Sequence, residues 1–388
     1  MVAALFWATA LLLAWVYAGF GLFAGLWGAV RRRRVAVADV TPPVSLIIAA
    51  YNETRGIRDK LENSLALDYP RELLEILVGS DGSDDGTDAI VAEYAARGVK
   101  LRSFPRRGKI HVLHDLVAEA RGEILLFSDA NTLWESSAVR MLVRNFADRN
   151  VGGVCGNQKY RTEGGADSSG KGESLYWRYD KWLKAMQSAT GSIVSADGAI
   201  YAIRRELYKK PPSAAVTDDF AISTAVVEAG KRLVFEAEAI GWEYPTGRAG
   251  DEFGRRVRLM NRGLNGVWLR RRLLDPSRYG FYALLLFSHK VLRRLAPVFL
   301  IVLLVTGLVL APRGSFWFAC GAAQAAVYVL GGLGFLLRRS AAGGSRILST
   351  PFYFCLANAA AFVALVEFLR GRRIERWQPK RQEVANAR

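Results

Sequence analysis

The chain has 388 residues, of which 51% are hydrophobic, and its mean hydropathy is +0.11. These values are high for a purely soluble protein and indicate a membrane protein. The formal net charge of +17 would suit a polyanionic partner, but much of the arginine flanks apolar runs, as in cytoplasmic loops. The charge is therefore attributed to membrane orientation, and no nucleic-acid partner is predicted. Three scattered cysteines and three histidines argue against a zinc site and a disulfide framework.

The N-terminal segment Met1–Val30 carries no charged residue and is long enough to cross a bilayer, which takes about 20 residues. A cleaved signal peptide is disfavoured, because the run is too long and lacks a basic start. Arg31–Arg34 follow at once and place the next segment in the cytoplasm. Residues 1–34 are therefore predicted to form an N-terminal transmembrane helix with a basic cytoplasmic flank.

Residues 35–261 alternate short β-rich runs with helical stretches, which is typical of a mainly parallel sheet with crossover helices. This pattern predicts an α/β domain. In such sheets, ligands bind past the carboxyl ends of the strands. The predicted strands are Val44–Ala50, Glu75–Gly79, Val99–Phe104 and Ile124–Ser128, and the predicted helices cover 55–67, 87–96 and 109–120.

The C-terminal third is predicted to be membrane-associated. Residues 262–294 alternate basic and apolar residues, which favours interfacial helices over an amphipathic helix packed on the soluble domain. Residues 295–370 are predicted to contain about three transmembrane helices, so that the chain crosses four times. The basic tail 371–388 would then lie outside, against its preference for the inside. Either the last run is re-entrant, or a further crossing lies upstream, or the tail is an exception to this preference. The uncharged runs are Leu295–Pro312, Gly314–Leu337 and Ile347–Val366.

Polar side chains follow three of the predicted strands. Tyr51 and Glu53 come after the first strand, Asp81 after the second, and Asp129 and Asn131 after the fourth. Carboxylates at one sheet edge can accept hydrogen bonds from a nucleobase or ribose, or can bind a divalent metal that neutralises a diphosphate. Each segment alone could be a plain turn or helix cap. Their common place on one edge favours a binding site.

Other polar residues further along the chain could complete such a site. Asp218 and Asp219 stand before a helical run, where one acid could act as a general base or as a helix cap. Gly198 would allow a sugar ring to approach the backbone, unless it only forms a turn. Arg255 and Arg258 could bind a diphosphate through bidentate hydrogen bonds or touch lipid headgroups.

Taken in this order, the motifs resemble those of the family 2 glycosyltransferases, in the membrane-integrated branch with the cellulose, hyaluronan and poly-N-acetylglucosamine synthases. The resemblance extends from the first strand to the last apolar runs. It implies a GT-A fold, an inverting mechanism and a nucleotide-diphosphate-sugar donor.

The resemblance also implies roles for single residues on the donor side. Tyr51 and Glu53 match the nucleotide-binding segment, and Asp81 matches an aspartate that contacts the base or ribose. Lys109, in the segment RRGK, matches a lysine near the nucleotide. Asp129 matches the first aspartate of the DxD motif, which contacts ribose and metal. Asn131 replaces the second aspartate and would be a weaker ligand for Mg²⁺ or Mn²⁺.

On the acceptor side, the segment TDDF resembles the family's TED motif. Asp219 matches the general base that deprotonates the acceptor hydroxyl, and Asp218 replaces the glutamate. The segment around Gly198 resembles the acceptor-side segment. Arg255 and Arg258 align with the QxxRW motif, in which Arg255 replaces the glutamine and Arg258 keeps the arginine.

The sequence therefore predicts an inverting glycosyltransferase that uses a nucleotide-sugar, with UDP expected from the family, and a saccharide acceptor at the cytoplasmic face of a bacterial inner membrane. Cell-surface polysaccharide synthesis is the expected role, and membrane lipids are expected partners. A transferase that adds one sugar to a polyprenyl-type lipid carrier is the nearest alternative. A catalytically silent nucleotide-binding scaffold of an assembly complex is an alternative of another class. A transporter is disfavoured because the apolar runs hold almost no ionisable residues.

Overall fold

The protein is described by a computed structural model over residues 1–160, 171–211, 213, 215–243, 252–338 and 340–373. Its centre is one eight-stranded mixed sheet. The first four strands confirm the sequence-based prediction within a few residues at each end. The strands are β1 Val44–Ala50, β2 Leu74–Asp81, β3 Val99–Phe104, β4 Ile124–Asp129, β5 Thr132–Trp134, β6 Val151–Tyr160, β7 Tyr201–Arg204 and β8 Arg232–Glu243.

The sheet has the strand order β3-β2-β1-β4-β7-β6-β8-β5. Strands β3, β2, β1 and β4 are parallel to one another, whereas β7 is antiparallel to both β4 and β6. The chain winds outward from β1 to β3 and then returns to place β4 on the other side of β1. The direction of winding therefore changes between β1 and β4, and ligands bind at such a switch point in open α/β sheets.

Helices of the sheet domain cover both faces of the sheet. Each face of the sheet has its own hydrophobic core, and the side chains of β1 alternate between the two. Leu46 and Ile48 are buried on one face, and Ile47 is buried on the other. One face packs against α3, α4 and α6, and the other against α5, α7 and α8. These helices are α3 Ile57–Leu65, α4 Thr87–Ala92, α5 Lys109–Glu119, α6 Ala138–Val143, α7 Lys171–Thr190 and α8 Asp218–Glu228.

Among the described residues, four helical stretches are long and apolar enough to cross a membrane. They are Val2–Val30, Phe281–Arg313, Ser315–Leu336 and Arg346–Leu369. The first contains α1 Val2–Ala14 and α2 Phe20–Val30, joined by a π-helical turn, and the second contains α11 Phe281–Leu286 and α12 Arg293–Leu310, joined likewise. The third and fourth are α13 Ser315–Leu336 and α14 Arg346–Leu369.

The apolar helices and the sheet domain share one core. Phe20 and Ala24 of α2 and Leu285 of α11 are buried in the same cluster as Ile47 of β1. Helix α7 lies along α2, where a Cβ added to Gly28 would come 2.8 Å from the carbonyl oxygen of Met186. The missing side chain thus allows close helix contact, as small residues do between membrane helices.

The segment predicted as interfacial helices, 262–294, is divided among several elements. It contains the end of α9 Glu252–Leu269, the short helix α10 Pro276–Tyr279 and the beginning of the second apolar stretch. Helix α9 packs against α14 through Val257, Ala360 and Ala364. Most of the basic tail, from residue 374 onward, lies outside the described residues.

Candidate active site

The predicted site residues on the donor side meet at the carboxyl edge of the sheet. The parallel register pairs Ala49 with Asp129 and Ala50 with Ser80, so that β1, β2 and β4 end at the same level. The loop after β1 therefore lies between Asp81 and Asp129. The fold thus brings together, at the switch point, residues that the sequence separates by up to about one fifth of the chain.

The loop after β1 is held by the loop after β2. Asn52 adopts a left-handed backbone conformation (φ 58°), and its side chain accepts a hydrogen bond from the Asp84 N–H at 3.0 Å. The Glu53 N–H donates to the Thr87 hydroxyl at 2.9 Å. Asp85 accepts from the Thr87 N–H at 3.1 Å, in the turn just before α4. Within the segment DGSDDGT, these residues shape the loop, and Asp81 is the acid that lies in the site.

Asp81 is held by the loop that follows β3. Its side chain is only 3% exposed, and its carboxylate accepts the N–H groups of Arg107 at 2.8 Å and Gly108 at 2.9 Å. It also forms an ion pair with Arg106, whose Cζ lies 3.3 Å from the ring centroid of Tyr51. The sequence analysis did not single out Arg106. Arg106 is the first residue of the segment RRGK, so its position close to Lys109 in sequence could have indicated it.

Lys109 connects two carboxylates that are far apart in sequence. Its Nζ lies 2.5 Å from Asp129 Oδ1 and 3.0 Å from Asp218 Oδ2. Burial would lower the pKa of Lys109, but the two carboxylates outweigh burial and hold the pKa above its usual range. Lys109 thus links the end of β4 to the start of α8.

The two acids at the start of α8 have pKa values that shift in opposite directions. Burial would raise the pKa of Asp218, but Lys109 outweighs this effect and lowers the pKa. Burial, and then the negative charge of Asp218, raise the pKa of Asp219 to about 6. Asp218 is therefore a paired, ionised carboxylate, while Asp219 has a pKa suited to taking a proton near neutral pH.

Gly198 lies between Asp129 and Asp219. A Cβ added to Gly198 would be 3.5 Å from Asp129 Oδ2 and 3.9 Å from the Asp219 Cβ. The segment is also tied to α7, because the neighbouring Asp197 forms an ion pair with Lys184. The structure therefore places Gly198 beside Asp129 and Asp219, and its role on the acceptor side stays a prediction.

Two further carboxylates surround Asp129. Burial, then the charges of Asp129 and Asp85, raise the pKa of Glu53 to about 7. Burial and then Asp129 also raise the pKa of Glu243, which accepts a hydrogen bond from Asn131 Nδ2 at 3.1 Å. Glu243 was missed by the sequence analysis, because it belongs to β8 and no local motif marks it.

Helix α9 brings its arginines to the same region. Burial has the largest effect on the pKa values of Glu243 and Asp218 and raises both. The positive charge of Arg255 lowers the pKa of Glu243, and that of Arg262 lowers the pKa of Asp218. Arg262 Nη2 also donates to the Val216 carbonyl at 2.6 Å, just before α8. Arg258 lies between them in sequence, at helical spacing from both. Arg262 extends the predicted pair Arg255 and Arg258 by one turn.

A divalent cation is implied by the resemblance, and the oxygen atoms present are suitable for one. In the described part of the chain, no three His, Cys, Asp or Glu side chains form a metal-binding group. Mg²⁺ often binds through one or two carboxylates together with substrate phosphates. Asp129 offers such a carboxylate, and Asn131, whose Nδ2 donates to Glu243, retains an amide oxygen. These residues fit a cation that is held partly by the substrate.

Comparison with known proteins identifies the class of this enzyme. Residues 42–266, more than half of the chain, match the sequence profile of the family described as glycosyltransferase like family 2. The chain therefore belongs to family 2 of the glycosyltransferases, and the predicted GT-A fold and enzyme class are confirmed.

Among curated relatives, the chain is similar to poly-beta-1,6-N-acetyl-D-glucosamine synthases. It is 26% identical to the protein of Staphylococcus epidermidis over 226 residues, and 26% identical to that of Staphylococcus aureus (strain COL) over 232 residues. These matches cover 55% and 57% of this chain and 53% and 54% of the relatives. The matched region is thus about half the length of these relatives.

A solved structure has the same fold over almost the whole chain. It is a mannosyltransferase from Pyrobaculum calidifontis in complex with GDP-Man and Mn²⁺. The TM-score is 0.71 at 21% sequence identity, covering 96% of this chain and 100% of that chain. The similarity therefore includes the arrangement of the apolar helices as well as the sheet domain.

Proposed function

We propose that this enzyme transfers a sugar from a nucleotide-diphosphate donor to a saccharide hydroxyl, with inversion at the anomeric carbon. The observation that carries the proposal is the position of Asp219, a partly buried carboxylate whose pKa is raised to about 6 and which lies beside Gly198 and close to Asp129. A sugar hydroxyl is a poor nucleophile, so a carboxylate that takes its proton as the bond forms is the group this reaction needs.

On the donor side, we assign the nucleotide to Tyr51, Glu53 and Asp81. The ring of Tyr51 offers a stacking surface, and the buried carboxylate of Asp81 can accept an N–H of a base. Arg106 lies between these two groups, so it must move before a base can occupy the same place. UDP is the nucleotide expected from the family.

At the diphosphate, we assign Asp129 and Asn131 to a divalent cation, Mg²⁺ or Mn²⁺. When bound, the cation would supply positive charge to the diphosphate oxygens. Arg255 and Arg258 of α9 would stabilise the leaving diphosphate, since guanidinium groups bind phosphate through paired hydrogen bonds. Lys109 lies between Asp129 and Asp218, where it forms an ion pair with each carboxylate in the free enzyme.

In the reaction, the acceptor oxygen forms a bond to the anomeric carbon while the bond from that carbon to the diphosphate breaks. The hydroxyl proton passes to Asp219, and the nucleotide diphosphate leaves. Asp218, ionised beside Lys109, raises the pKa of Asp219 and so makes it a stronger base. Removing one of these two acids should therefore affect the rate more than the binding of the donor.

For the cellular role, we propose cell-surface polysaccharide synthesis at the cytoplasmic face of a bacterial inner membrane. Similarity to two bacterial poly-beta-1,6-N-acetyl-D-glucosamine synthases supports the saccharide acceptor. The four apolar helices support a membrane location, and Arg31–Arg34 after the first helix support a cytoplasmic sheet domain.

A donor screen tests this proposal. Purified protein in nanodiscs is given each common nucleotide-sugar, including UDP-N-acetylglucosamine and GDP-mannose, with Mg²⁺, Mn²⁺ or EDTA. Release of nucleotide diphosphate and product mass are recorded. Release with one donor and a ladder of product masses would support a saccharide polymer. Absence of release with every donor, from folded protein supplied with saccharide acceptors, would contradict the proposal and favour a silent scaffold.

A further inference from the structure

Three cations lie at the start of the long apolar part of the second membrane-type helix, at Lys290, Arg293 and Arg294. Lys290 lies within the π-helical turn Phe287–Leu292, and α12 begins directly after it. Arg293 is exposed, whereas Lys290 and Arg294 are partly buried. π-Helical turns occur frequently at functional sites. The two partly buried cations therefore differ from Arg293, which has the exposure expected of a residue that only orients the helix in the membrane.

Among the described residues, neither Lys290 nor Arg294 forms a salt bridge, although the negative charges of Asp219, Asp197 and Asp180 act on Lys290 from farther away. Within the described residues, no carboxylate oxygen lies within 4.0 Å of Lys290 or Arg294. Arg294 Nη1 donates to the Lys290 carbonyl at 2.5 Å, and its buried Nε has no hydrogen-bond partner. Lys290 Nζ lies 5.9 Å from the ring centroid of Phe220. Partly buried cations without a salt bridge are costly, so an anion that contacts both side chains would stabilise them.

This pair of cations is close to the catalytic base of the proposed mechanism. Phe220, which faces Lys290, is adjacent to Asp219 in α8. The positive charge of Lys290 lowers the pKa of Asp219, although burial and Asp218 have larger, opposite effects. The guanidinium of Arg294 packs over Gly263, where a Cβ would overlap it. Gly263 belongs to α9, the helix that also carries Arg255.

The position along the helix indicates the kind of anion. The uncharged run 295–312 starts directly after Arg294, and such a run occupies the hydrocarbon layer. Lys290 and Arg294 would therefore lie at the depth of lipid phosphates. Basic pockets between membrane helices at this level bind phosphate headgroups. Because Phe220 is next to Asp219 and faces Lys290, an anion bound at Lys290 would lie on the membrane side of the proposed base.

We propose that Lys290 and Arg294 bind the phosphate of a lipid-linked acceptor, which presents its saccharide hydroxyl to Asp219 from the membrane side. This inference rests on the proposed function and names its acceptor class. The hydroxyl oxygen bonds to the anomeric carbon, the bond to the donor diphosphate breaks, and the proton passes to Asp219. The lipid phosphate is bound and is not consumed.

A binding experiment without donor tests the inference. Wild-type protein and the variants Lys290→Met, Arg294→Met and Arg293→Met are titrated in detergent with a polyprenyl phosphate, the matching polyprenol and phosphatidylglycerol, and binding is measured by native mass spectrometry. We expect Lys290→Met and Arg294→Met to weaken binding of the polyprenyl phosphate about 10-fold or more, as for loss of a hydrogen bond to a charged group. Arg293→Met is the matched control and should bind within about 2-fold of wild type, because an exposed cation contributes little.

A conservative variant separates charge from folding. Lys290→Arg should keep most of the affinity for the polyprenyl phosphate, whereas a merely structural role would make it as harmful as Lys290→Met. Equal affinity of Lys290→Met and Arg293→Met for this probe would overturn the inference. Equal affinity of wild-type protein for phosphatidylglycerol and polyprenyl phosphate would also overturn it, because the site would then hold a bilayer lipid.

Failure of this inference can be told apart from failure of the proposed function. The binding measurement needs no donor, so it stands even if every nucleotide-sugar is inactive in the donor screen. If a donor is active, the Michaelis constant for a lipid-linked saccharide should rise in Lys290→Met while that of Arg293→Met stays unchanged. An unchanged Michaelis constant in Lys290→Met would contradict the inference and leave the transferase activity established.

Discussion

The donor half and the acceptor half of this site are held in place by different parts of the chain. On the donor half, hydrogen bonds between the loops after β1 and β2 position Glu53, and the loop after β3 holds Asp81. These contacts lie within one parallel βαβ region. On the acceptor half, Gly198 is tied to α7, which packs on the first apolar helix.

This difference shows which half depends on the membrane-type helices. Helix α9, which carries Arg255 and Arg258, packs against the last apolar helix through Val257 and Ala360. Changes at the first apolar helix, which contacts α7 and through it the segment of Gly198, should disturb acceptor use before donor binding. Changes at the loops after β1 and β3 should do the reverse. Lys109 is the contact that joins the two halves, since it pairs with Asp129 on one side and Asp218 on the other.

The largest expected effect is on the acceptor half, at the proposed base. Asp219→Asn should lower kcat by about 10²- to 10⁴-fold, the range typical for loss of a general base, while donor affinity stays within about 3-fold. Nucleotide release and donor titration by calorimetry measure the two quantities. Near wild-type turnover by Asp219→Asn would remove Asp219 from the mechanism.

The pH dependence of wild-type activity should report the titration of Asp219. A base with a pKa of about 6 is protonated and inactive below that pH, so activity should rise as the pH increases through about 6. The residual activity of Asp219→Asn should lack this step. A rate profile that is flat between pH 5 and 7, on the order of one unit either side of the expected pKa, would contradict the assignment.

The next effect should come from the contact between the halves. Lys109→Met leaves Asp129 and Asp218 without their shared cation, and loss of a hydrogen bond to a charged group costs roughly 1.5–3 kcal/mol, or about 10- to 150-fold in kcat/KM. Lys100→Met is a suitable control, because Lys100 is exposed and pairs with Glu75 away from the site. Equal activity of the two variants would show that the halves are not coupled through Lys109.

A smaller, structural effect should appear where α2 meets α7. Gly28→Ala would place a Cβ 2.8 Å from a backbone oxygen of Met186, and such overpacking typically costs about 1–3 kcal/mol. Gly332→Ala, in α13 with no atom within 4 Å of the added Cβ, is the matched control. Thermal unfolding in detergent measures both. We expect Gly28→Ala to impair acceptor use more than donor affinity; the opposite order would contradict the comparison.

The smallest effect is expected on the donor half. Arg106→Ala removes the group that covers Tyr51, and a cation–π contact at a partly exposed position contributes about 0.5–1 kcal/mol. If a base takes the place of Arg106, the variant should bind the donor about 2- to 5-fold more tightly. Weaker donor binding by Arg106→Ala would mean that Arg106 contacts the nucleotide instead.

Much of the donor half could be predicted from local patterns. The buried run Val44–Ala50 and the polar residues after it identified a strand and its carboxyl end, and parallel pairing places such ends at one edge. The alternative for the segment DGSDDGT, a turn before a helix, describes part of it, because Asp85 accepts the Thr87 N–H in the turn before α4 while Asp81 lies at the edge of the sheet. Short-range hydrogen bonding and strand periodicity are properties that a sequence shows directly.

The sequence by itself determined the strand ends, the apolar runs and the acids Asp218 and Asp219, because each depends on neighbouring residues. Only the tertiary structure decided which side chains meet: Lys109 with Asp218, Glu243 with Asn131, and Lys290 near Phe220. These partners are separated by many residues and belong to different elements. The contacts between these side chains, and the pKa shifts of the acids among them, follow from burial and distance. Both arise only when the sheet, α8 and the apolar helices pack together.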